Sequence, residues 1–552
     1  MQTVAGKRTR NKPALMAVKT AAKQWNIKPL HSRVKSLARE LKIAPIVAQA
    51  LLNRGITDTS SGSSFLRPRL TELIAPEEMP GAPRAAERIA EAITNQQKVT
   101  VYGDYDADGI TGASILWHLI KMLDGDVDYY IPHRIDEGYG LNDQAIRSIA
   151  ESGTNLLITV DCGITAVDSV ALANSLNLDV IITDHHQPGP ELPKGCIIVH
   201  PVVDAGYPNQ DSSGAMVAFK LTWSLANKFS SGPRLHSDLR QFMLDATSLA
   251  AIGTIADIVD LRAENRILTS YGLQSLAESK LPGIRALIET AGLTGKDLDS
   301  FDIGFRLAPM LNAAGRMGHA RLAVELLTSE SDMHCTRIAE YLKQQNELRR
   351  RHERKIFKQA CQMINEAGLN HPHNKSIVLQ NSDWHIGVIG IVASRIVDKY
   401  FRPTIMFSSG DSIAQGSGRS IPGFSLLDAI SACSKHLEHF GGHKMAAGLT
   451  IRTENIEKFA ADFETYTKEN LKEHSHVATI DIDAEFALDQ FSHESVKQLQ
   501  LLGPFGQGNP RPVFATKGLK LISPPRRVGA RSDHLQLAVT DNTASLRCIG
   551  FG

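Results

Sequence analysis

The sequence predicts a multidomain α/β protein whose largest part is a doubly wound parallel sheet. Three observations predict it. The length of 552 residues exceeds what one core fills, so two to four domains are expected. From residue 97 to about 260, five short apolar runs (KVTVYG, VDYYIP, NLLITVD, DVIITDHH and CIIVHP) alternate with helical segments. That alternation is the pattern of parallel strands joined by crossover helices. A hydrophobic content of 42% with 22% charged residues is that of a globular protein.

Taken in order, residues 1–26 read as a disordered basic tail, with a weak nucleic-acid contact as the rival. The tail lacks the apolar core of a secretory signal. Residues 27–95 form an N-terminal helical region, because SRVKSLARELKI and PRAAERIAEAITNQ carry helical periodicity. The doubly wound domain covers 96–329. Residues 330–368 contain no Pro, and no Gly before Gly368, which predicts one long connector helix. Its run RRRHERK reads as a solvated face, with a phosphate-contacting face as the alternative. A second α/β unit covers 369–470. Residues 471–552 hold short alternating runs broken by Gly, Pro and Asp-Asn, the pattern of a small antiparallel barrel or sandwich. The sequence stops within or just after a strand, so an incomplete last domain is an expectation.

Composition narrows the function classes. A net charge of +1 gives no global nucleic-acid signature, so any basic surface is local. One such place is Arg511, Lys517, Lys520, Arg526, Arg527 and Arg531, within 21 residues. The six cysteines, Cys162, Cys196, Cys335, Cys361, Cys433 and Cys548, have no C-x-x-C or zinc spacing. That usage predicts a reduced, cytoplasmic protein. No apolar run approaches the roughly 20 residues of a membrane span.

The chemistry is carried by acids at the ends of the predicted strands. VTVYGD delivers Asp104, followed by Asp106 and Asp108; LLITVD delivers Asp161; DVIITDHH delivers Asp184, His185 and His186. A calcium-loop reading of DYDADG fails, because position twelve is Ile115 rather than Glu and the entry is a strand rather than a helix. In an open parallel sheet the carboxyl ends of the strands meet at one edge, where ligands bind. Asp257 in AAIGTIADIVDL is a further candidate, since Ala251, Gly253 and Ala256 allow close backbone approach. Asp104, Asp106, Asp108, Asp161 and Asp257 together would repel one another unless some are protonated or cations sit among them. Two divalent cations nearly balance the set. Oxygen ligands with one or two imidazoles suit Mn²⁺ or Mg²⁺ better than zinc, and two such metals hydrolyse phosphate esters.

With VYGDYDADG, VDCG, DHH and GTIADIVDL in that order, the chain resembles the DHH phosphoesterase superfamily, and within it the RecJ-type exonucleases of bacteria. The resemblance covers about residues 40–552. The later GSGRSIPGFSLLDAI and FGGHKMAAGLT resemble the associated DHHA1 domain. The resemblance implies a DHH domain, a connector helix, a DHHA1 domain and an oligonucleotide-binding (OB-like) barrel. It implies Asp106, Asp108, Asp161, His185 and Asp257 as metal ligands, with Asp104 as ligand or support. It implies His186 at the scissile phosphate, with Asp184 orienting a histidine. Arg134 and Arg316 match phosphate-binding positions, as do Ser417, Arg419 and His443 in the second domain. Phe505 or Phe514 would be stacking platforms on the barrel, with core packing as the alternative. The implied function is 5′→3′ hydrolysis of single-stranded DNA to mononucleotides in repair and recombination, with a helicase and a single-strand-binding protein as partners. Two rivals are a relative acting on short oligonucleotides or cyclic dinucleotides, and a catalytically inactive single-strand-binding scaffold.

Overall fold

The computed structural model describes residues 24–551 apart from 135–136, 205, 231, 233, 318, 472–478 and 531. Most of the expected basic tail, and Arg531, therefore lie outside the described residues. Residues 24–26, expected in that tail, begin a strand, Gln24–Ile27, whose backbone groups pair with the strand Thr479–Ile482. The chain divides into two compact units. One comprises Ile27–Arg351 with Ile482–Gly552, and the other is built on His352–Asp481.

The first unit contains a five-stranded sheet of β1 (Val99–Gly103), β2 (Val127–Tyr130), β3 (Leu156–Val160), β4 (Asp179–Thr183) and β5 (Ile197–Val199). The spatial order is β2-β1-β3-β4-β5, and every pairing is parallel. All five apolar runs of the sequence are thus strands of one sheet. β1 and β3 are buried at every position, as strands covered on both faces must be. Successive residues point to opposite faces. Val101, Ile158 and Ile181 enter one core, while Tyr102, Leu157 and Ile182 enter another. The first face is covered by α4 (Ala82–Thr94), α5 (Ala107–Met122), α8 (Gly214–Lys228) and α9 (Ser237–Ala256). The second is covered by α6 (Asp143–Glu151) and α7 (Val167–Ser175). The sheet is therefore doubly wound. The chain leaves β1 in one direction to β2 and returns on the other side to β3. That places the switch point at the carboxyl ends of β1 and β3, where Asp104 and Asp161 follow.

The helices α1 (Val34–Leu41), α2 (Pro45–Asn53) and α3 (Thr59–Leu66) fill the N-terminal region. In α1, Val34, Leu37 and Ala38 recur at helical spacing and are buried. Their core partners come from the far end of the sequence: Leu502 is buried among them, and Phe486, Phe491, Leu499, Phe505 and Phe514 pack against them. The Gln498 side chain accepts from the Ala44 amide at 2.7 Å, and Arg54 donates to Asn509 Oδ1 at 2.7 Å. The stretch 482–515 thus shares a core with residues 34–66, because neither has enough apolar surface to bury alone. Phe514 belongs to that core, edge-on to Phe486 and Phe491. Beyond it, Lys520–Leu521 and Arg526–Val528 pair along one edge of His534–Thr540, and Ser545–Gly550 pairs along the other. Among the described residues this antiparallel sheet is open rather than a closed barrel, since both short strands share a single edge. Of the basic cluster, Arg511 pairs with Asp299 and Lys517 with Glu485, each at 2.6 Å.

The predicted connector is one helix, Asp332–Glu366, of 35 residues, about 50 Å long at the α-helical rise. In the second unit, the strands β6 (Ile377–Asn381), β7 (Thr404–Ser409), β8 (Ile413–Arg419), β9 (Leu437–Gly442) and β10 (Ala446–Arg452) form a mixed sheet. Its order is β9-β10-β8-β7-β6, parallel only between β6 and β7. No described helix is long and apolar enough to cross a membrane.

One buried ion pair ties the N-terminal region to α8. Lys220 is fully buried, and its ammonium reaches Glu264 and the Ile74 carbonyl. Glu264 also accepts from the Ile74 amide at 2.8 Å and the Tyr207 hydroxyl at 2.9 Å. Removing one partner of such a pair strands the other charge. Glu264→Ala is expected to cost about 3–5 kcal/mol, read as a lowered midpoint of the first urea transition. Glu264→Gln, which keeps hydrogen-bonding groups, is expected to lose less.

Candidate metal centre

The acids converge because β1, β3 and β4 are adjacent and end in register. Asp104 follows β1 and is buried. Asp106 caps α5, accepting from the amides of Asp108 at 2.9 Å and Gly109 at 3.3 Å. Asp108, in the first turn of α5, is fully buried. Its two oxygens accept from the Gly214 amide at 2.5 Å and the Ala215 amide at 3.0 Å, so it sits at the N-terminus of α8. The partial positive charge of a helix N-terminus favours a carboxylate there. Asp161 follows β3 with φ of 63°, a left-handed conformation that Asp tolerates better than most residues. Asp257 ends α9 and keeps 27% of its side chain exposed.

These side chains surround His185. Its Nε2 lies 3.0 Å from Asp161, 3.6 Å from Asp257 and 3.9 Å from Asp108. Three sets bring their ligand atoms within 4.8 Å of one another: Asp104 with Asp106 and Asp161; Asp108 with His185 and Asp257; Asp161 with His185 and His186. Two glycines make this proximity possible. A Cβ on Gly253 would stand 2.4 Å from Asp108 Oδ1, and one on Gly214 would stand 2.6 Å from Asp161 Cβ.

The residues fit divalent cations. Asp104 Oδ1, Asp161 Oδ1 and His185 Nε2 are buried and have no hydrogen-bond partner among the described residues. The 3.0 Å approach of the latter two lacks hydrogen-bond alignment. Buried donors and acceptors in native proteins are paired almost without exception. Three orphans on one wall of carboxylates and imidazole are the signature of ligand atoms. The titration of the acids agrees. Burial first, and the neighbouring carboxylates second, hold Asp104 and Asp161 well above the usual Asp range. The same causes push Asp108 up to about 7 and Asp257 up to about 8.

The adjacent histidines are driven apart. Burial, then the neighbouring His186, lower His185 to about 4, which leaves its imidazole neutral and able to ligate a metal. Burial opposes charge on His186 as well, but Asp184 outweighs it and pushes that ring up to about 9. The Asp184 carboxylate accepts from His186 Nδ1 at 2.8 Å and from the amides of Ile164, His185 and His186. Burial would raise Asp184, but these bonds bring it down to about 2. Asp184 therefore orients a histidine, the outer role expected of it.

Arg134 lies over the Tyr105 ring at 4.7 Å, and Arg316 follows Gly315, where a Cβ would stand 2.5 Å from the Tyr105 carbonyl oxygen. Both thus stand at this centre. Ser417, Arg419 and His443 belong to the second unit. Arg419 donates to Ser417 Oγ at 3.0 Å from β8, and His443 sits in the turn between β9 and β10, its amide bonded to Ala446 at 2.7 Å. Ala446 in turn pairs with Arg419, so the three share one end of that sheet. Sequence reasoning missed two residues. The Tyr139 hydroxyl is 3.1 Å from His186 Nδ1 and 3.2 Å from the Asp161 carbonyl. Asn312 accepts from the Ala107 amide at 2.7 Å, pinning the start of α5. Tyr139 had a signal, an aromatic between Gly138 and Gly140; Asn312 had none.

Strand-end carboxylates around an imidazole, at the switch point of a doubly wound sheet, define a metal-dependent DHH-type phosphoesterase. The model of the DHH family N-terminal domain matches residues 98–253, that of the DHHA1 domain matches 373–469, and that of the RecJ OB domain matches 482–552. The single-stranded-DNA-specific exonuclease RecJ of Haemophilus influenzae is 35% identical over 85% of this chain and 83% of its own length. That of Bacillus subtilis is 39% identical over 96% of this chain and 66% of its own. The structure of Thermus thermophilus RecJ with Mn²⁺ superposes with a TM-score of 0.81 at 30% identity, covering 96% of this chain and 74% of that one. The same protein with Mg²⁺ gives 0.75 at 28% identity, covering 96% and 72%. The chain belongs to the RecJ family of single-stranded-DNA-specific exonucleases.

Two outcomes test the centre. Gly253→Ala drives a methyl group into Asp108 and Ala215, so it is expected to abolish hydrolysis in an otherwise folded protein, measured by turnover beside circular dichroism. The second concerns pH. Unfolded Asp titrates near about 3.9, whereas Asp108 and Asp257 hold protons to about 7 and about 8 in the fold without metal. Asp108, Asp257 and, up to about 9, His186 bind more protons folded than unfolded, so the stability of EDTA-treated protein falls as pH rises from about 6.5 to about 9. Melting curves across this range should show that slope, and Mn²⁺ should flatten it.

Proposed function

We propose that the chain hydrolyses single-stranded DNA from its 5′ end, releasing mononucleotides, with Asp104, Asp106, Asp108, Asp161, His185 and Asp257 holding two divalent cations. The observation that carries this reading is the set of orphaned buried ligand atoms of Asp104, Asp161 and His185 on a single wall. Mn²⁺ or Mg²⁺, the ions named with the Thermus relative, supply an activated water and neutralise charge on the phosphate. Asp161 belongs to the set with Asp104 and Asp106, and its Oδ1 lies 3.0 Å from His185 of the other set, so it would serve both sites.

The remaining residues act on the strand. His186 is cationic with Nδ1 committed to Asp184, which suits its Nε2–H to a non-bridging phosphate oxygen rather than to a metal. Arg134 and Arg316 offer planar forks for neighbouring phosphates. Ser417, Arg419 and His443 would take a further phosphate, the strand's 5′ end included. Lys520, Arg526 and Arg527 on the terminal sheet would contact the backbone without reading sequence. The presence of every acid and both histidines supports an enzyme over an inactive scaffold. The role extends to repair and recombination in the cytoplasm, alongside a helicase that exposes the strand and a single-strand-binding protein that coats it.

Digestion of strands labelled at either end, with and without Mn²⁺, tests the reading. Loss of the 5′ label as mononucleotide before any shortening from the 3′ side is expected, with no cleavage in EDTA. Asp161→Ala should remove activity entirely. His186→Ala should lower kcat by about 10²–10³-fold while retaining Mn²⁺ binding. Full activity in Asp161→Ala would overturn the assignment.

A further inference from the structure

The acids of the metal centre are not all held in the same way. Asp106 and Asp108 each accept from two backbone amides. Among the described residues no hydrogen bond fixes the carboxylate of Asp257, which faces His185 at 3.6 Å with 27% of its side chain exposed. Its place therefore depends on the backbone that carries it. α9 ends at Asp257, and Ile258 turns the chain with φ of 63°, a left-handed conformation that a β-branched residue seldom adopts. The Ile258 side chain is exposed, so its own packing does not hold the turn.

A second turn, from the far end of the sequence, supports that backbone. Gly506 and Asn509 exchange backbone hydrogen bonds of 3.0 and 3.2 Å, closing a turn on Gln507 and Gly508. The Gln507 carbonyl accepts from the Leu261 amide at 2.8 Å, and the Gly508 carbonyl accepts from Arg262 Nε at 2.6 Å. The turn lies directly on the segment after Asp257. A Cβ on Gly506 would stand 2.7 Å from Leu261 Cδ1, and one on Gly508 2.6 Å from the Asp260 carboxyl carbon. From the other side, Asn265 Nδ2 donates to the Asp260 carbonyl at 3.0 Å.

Asn509 locks this turn from behind. It is buried, and its side chain donates to the carbonyls of Leu502 and Pro504, both at 2.8 Å, while its Oδ1 accepts from Arg54. Arg54 also donates to the Pro510 carbonyl at 2.6 Å. A buried amide with donors and acceptor all engaged is held in one orientation. The end of α2, Asn509, the turn, Leu261 and Asp257 thus form one line of contacts within the first unit.

We propose that the Gly506–Asn509 turn braces Asp257, with Asn509 and Arg262 as positioning residues that set how tightly Asp108, His185 and Asp257 hold their cation. The inference rests on the two-metal reading above and deepens it. Contacts that orient a ligand from outside govern metal affinity as the ligands themselves do. Asp104, Asp106 and Asp161 stand at strand ends and at the start of α5, outside the braced segment. The brace therefore acts on one of the two sites. The terminal region, whose sheet follows the turn in sequence, contributes to the metal centre without supplying a ligand.

The test titrates the full chain with Mn²⁺, reading each affinity by electron paramagnetic resonance and the fold by circular dichroism. Wild type is expected to bind two ions. Asn509→Ala removes three hydrogen bonds and should weaken one site by about 10–100-fold while the other keeps its affinity. Arg262→Ala removes one exposed contact, so it folds whether or not Asn509→Ala does, and it should weaken the same site by less. In both, saturating Mn²⁺ should restore kcat. Asp58→Ala, which removes the cap of α3 in the same unit, lowers stability and should leave both affinities at their wild-type values. Unchanged affinities in Arg262→Ala or in folded Asn509→Ala, equal weakening of both sites, or the same weakening in Asp58→Ala overturns the proposal. Wild type that binds fewer than two ions would instead overturn the two-metal reading itself.

Discussion

Carboxylates do not gather in a protein interior unless something holds them against their own repulsion. Here Asp104, Asp108 and Asp161 are buried within reach of one another, Asp106 and Asp257 stand beside them, and the surrounding structure is arranged to keep them there. Strand ends deliver two of the buried acids, because β1 and β3 are neighbours at the switch point. The N-terminus of α8 holds the third through two amide hydrogen bonds. Gly214 and Gly253 remove the side chains that would otherwise stand between them. Without cations, burial first and repulsion second favour protons on Asp104, Asp108, Asp161 and Asp257, which therefore titrate above the usual Asp range. With cations the same geometry becomes a pair of ligand sets.

The two adjacent histidines divide the work by the same logic. Both rings are desolvated, which disfavours charge on either. Asp184 is offered to only one of them, through Nδ1 of His186. That single hydrogen bond keeps one imidazole charged, and its charge helps keep the other neutral. A neutral ring can donate a lone pair to a metal and a charged ring can donate a proton to an anion, so one carboxylate assigns two chemistries to neighbouring residues.

Much of this was legible in the sequence, for a physical reason. Parallel strands buried on both faces are short apolar runs, and their carboxyl ends share an edge, so acids following KVTVYG, LLITV and DVIIT had to meet if the runs were neighbours. The connector helix was legible because nothing in it breaks a helix. Other features left no local trace. That residues 482–515 complete the core of 34–66 depends on contacts between opposite ends of the chain, which no periodicity records. Asn312 is an ordinary residue on a helix until folding brings it to α5. The left-handed backbone at Ile258, with φ of 63°, is a property of backbone geometry that the side chains of IADIVDL do not record. Ser417, Arg419 and His443 were singled out by family resemblance alone; glycine-rich loops without it read as turns.

The central claim is that these side chains exist to hold two cations, and counting them is its most direct test. Metal-free protein titrated with Mn²⁺, with the bound ion counted per chain by electron paramagnetic resonance or elemental analysis, should take up two ions at saturation. Asp161→Asn should weaken both sites, because this residue belongs to the set with Asp104 and Asp106 and lies 3.0 Å from His185 of the other. Uptake of no ion, or of two ions with unchanged affinity in Asp161→Asn, would contradict the account.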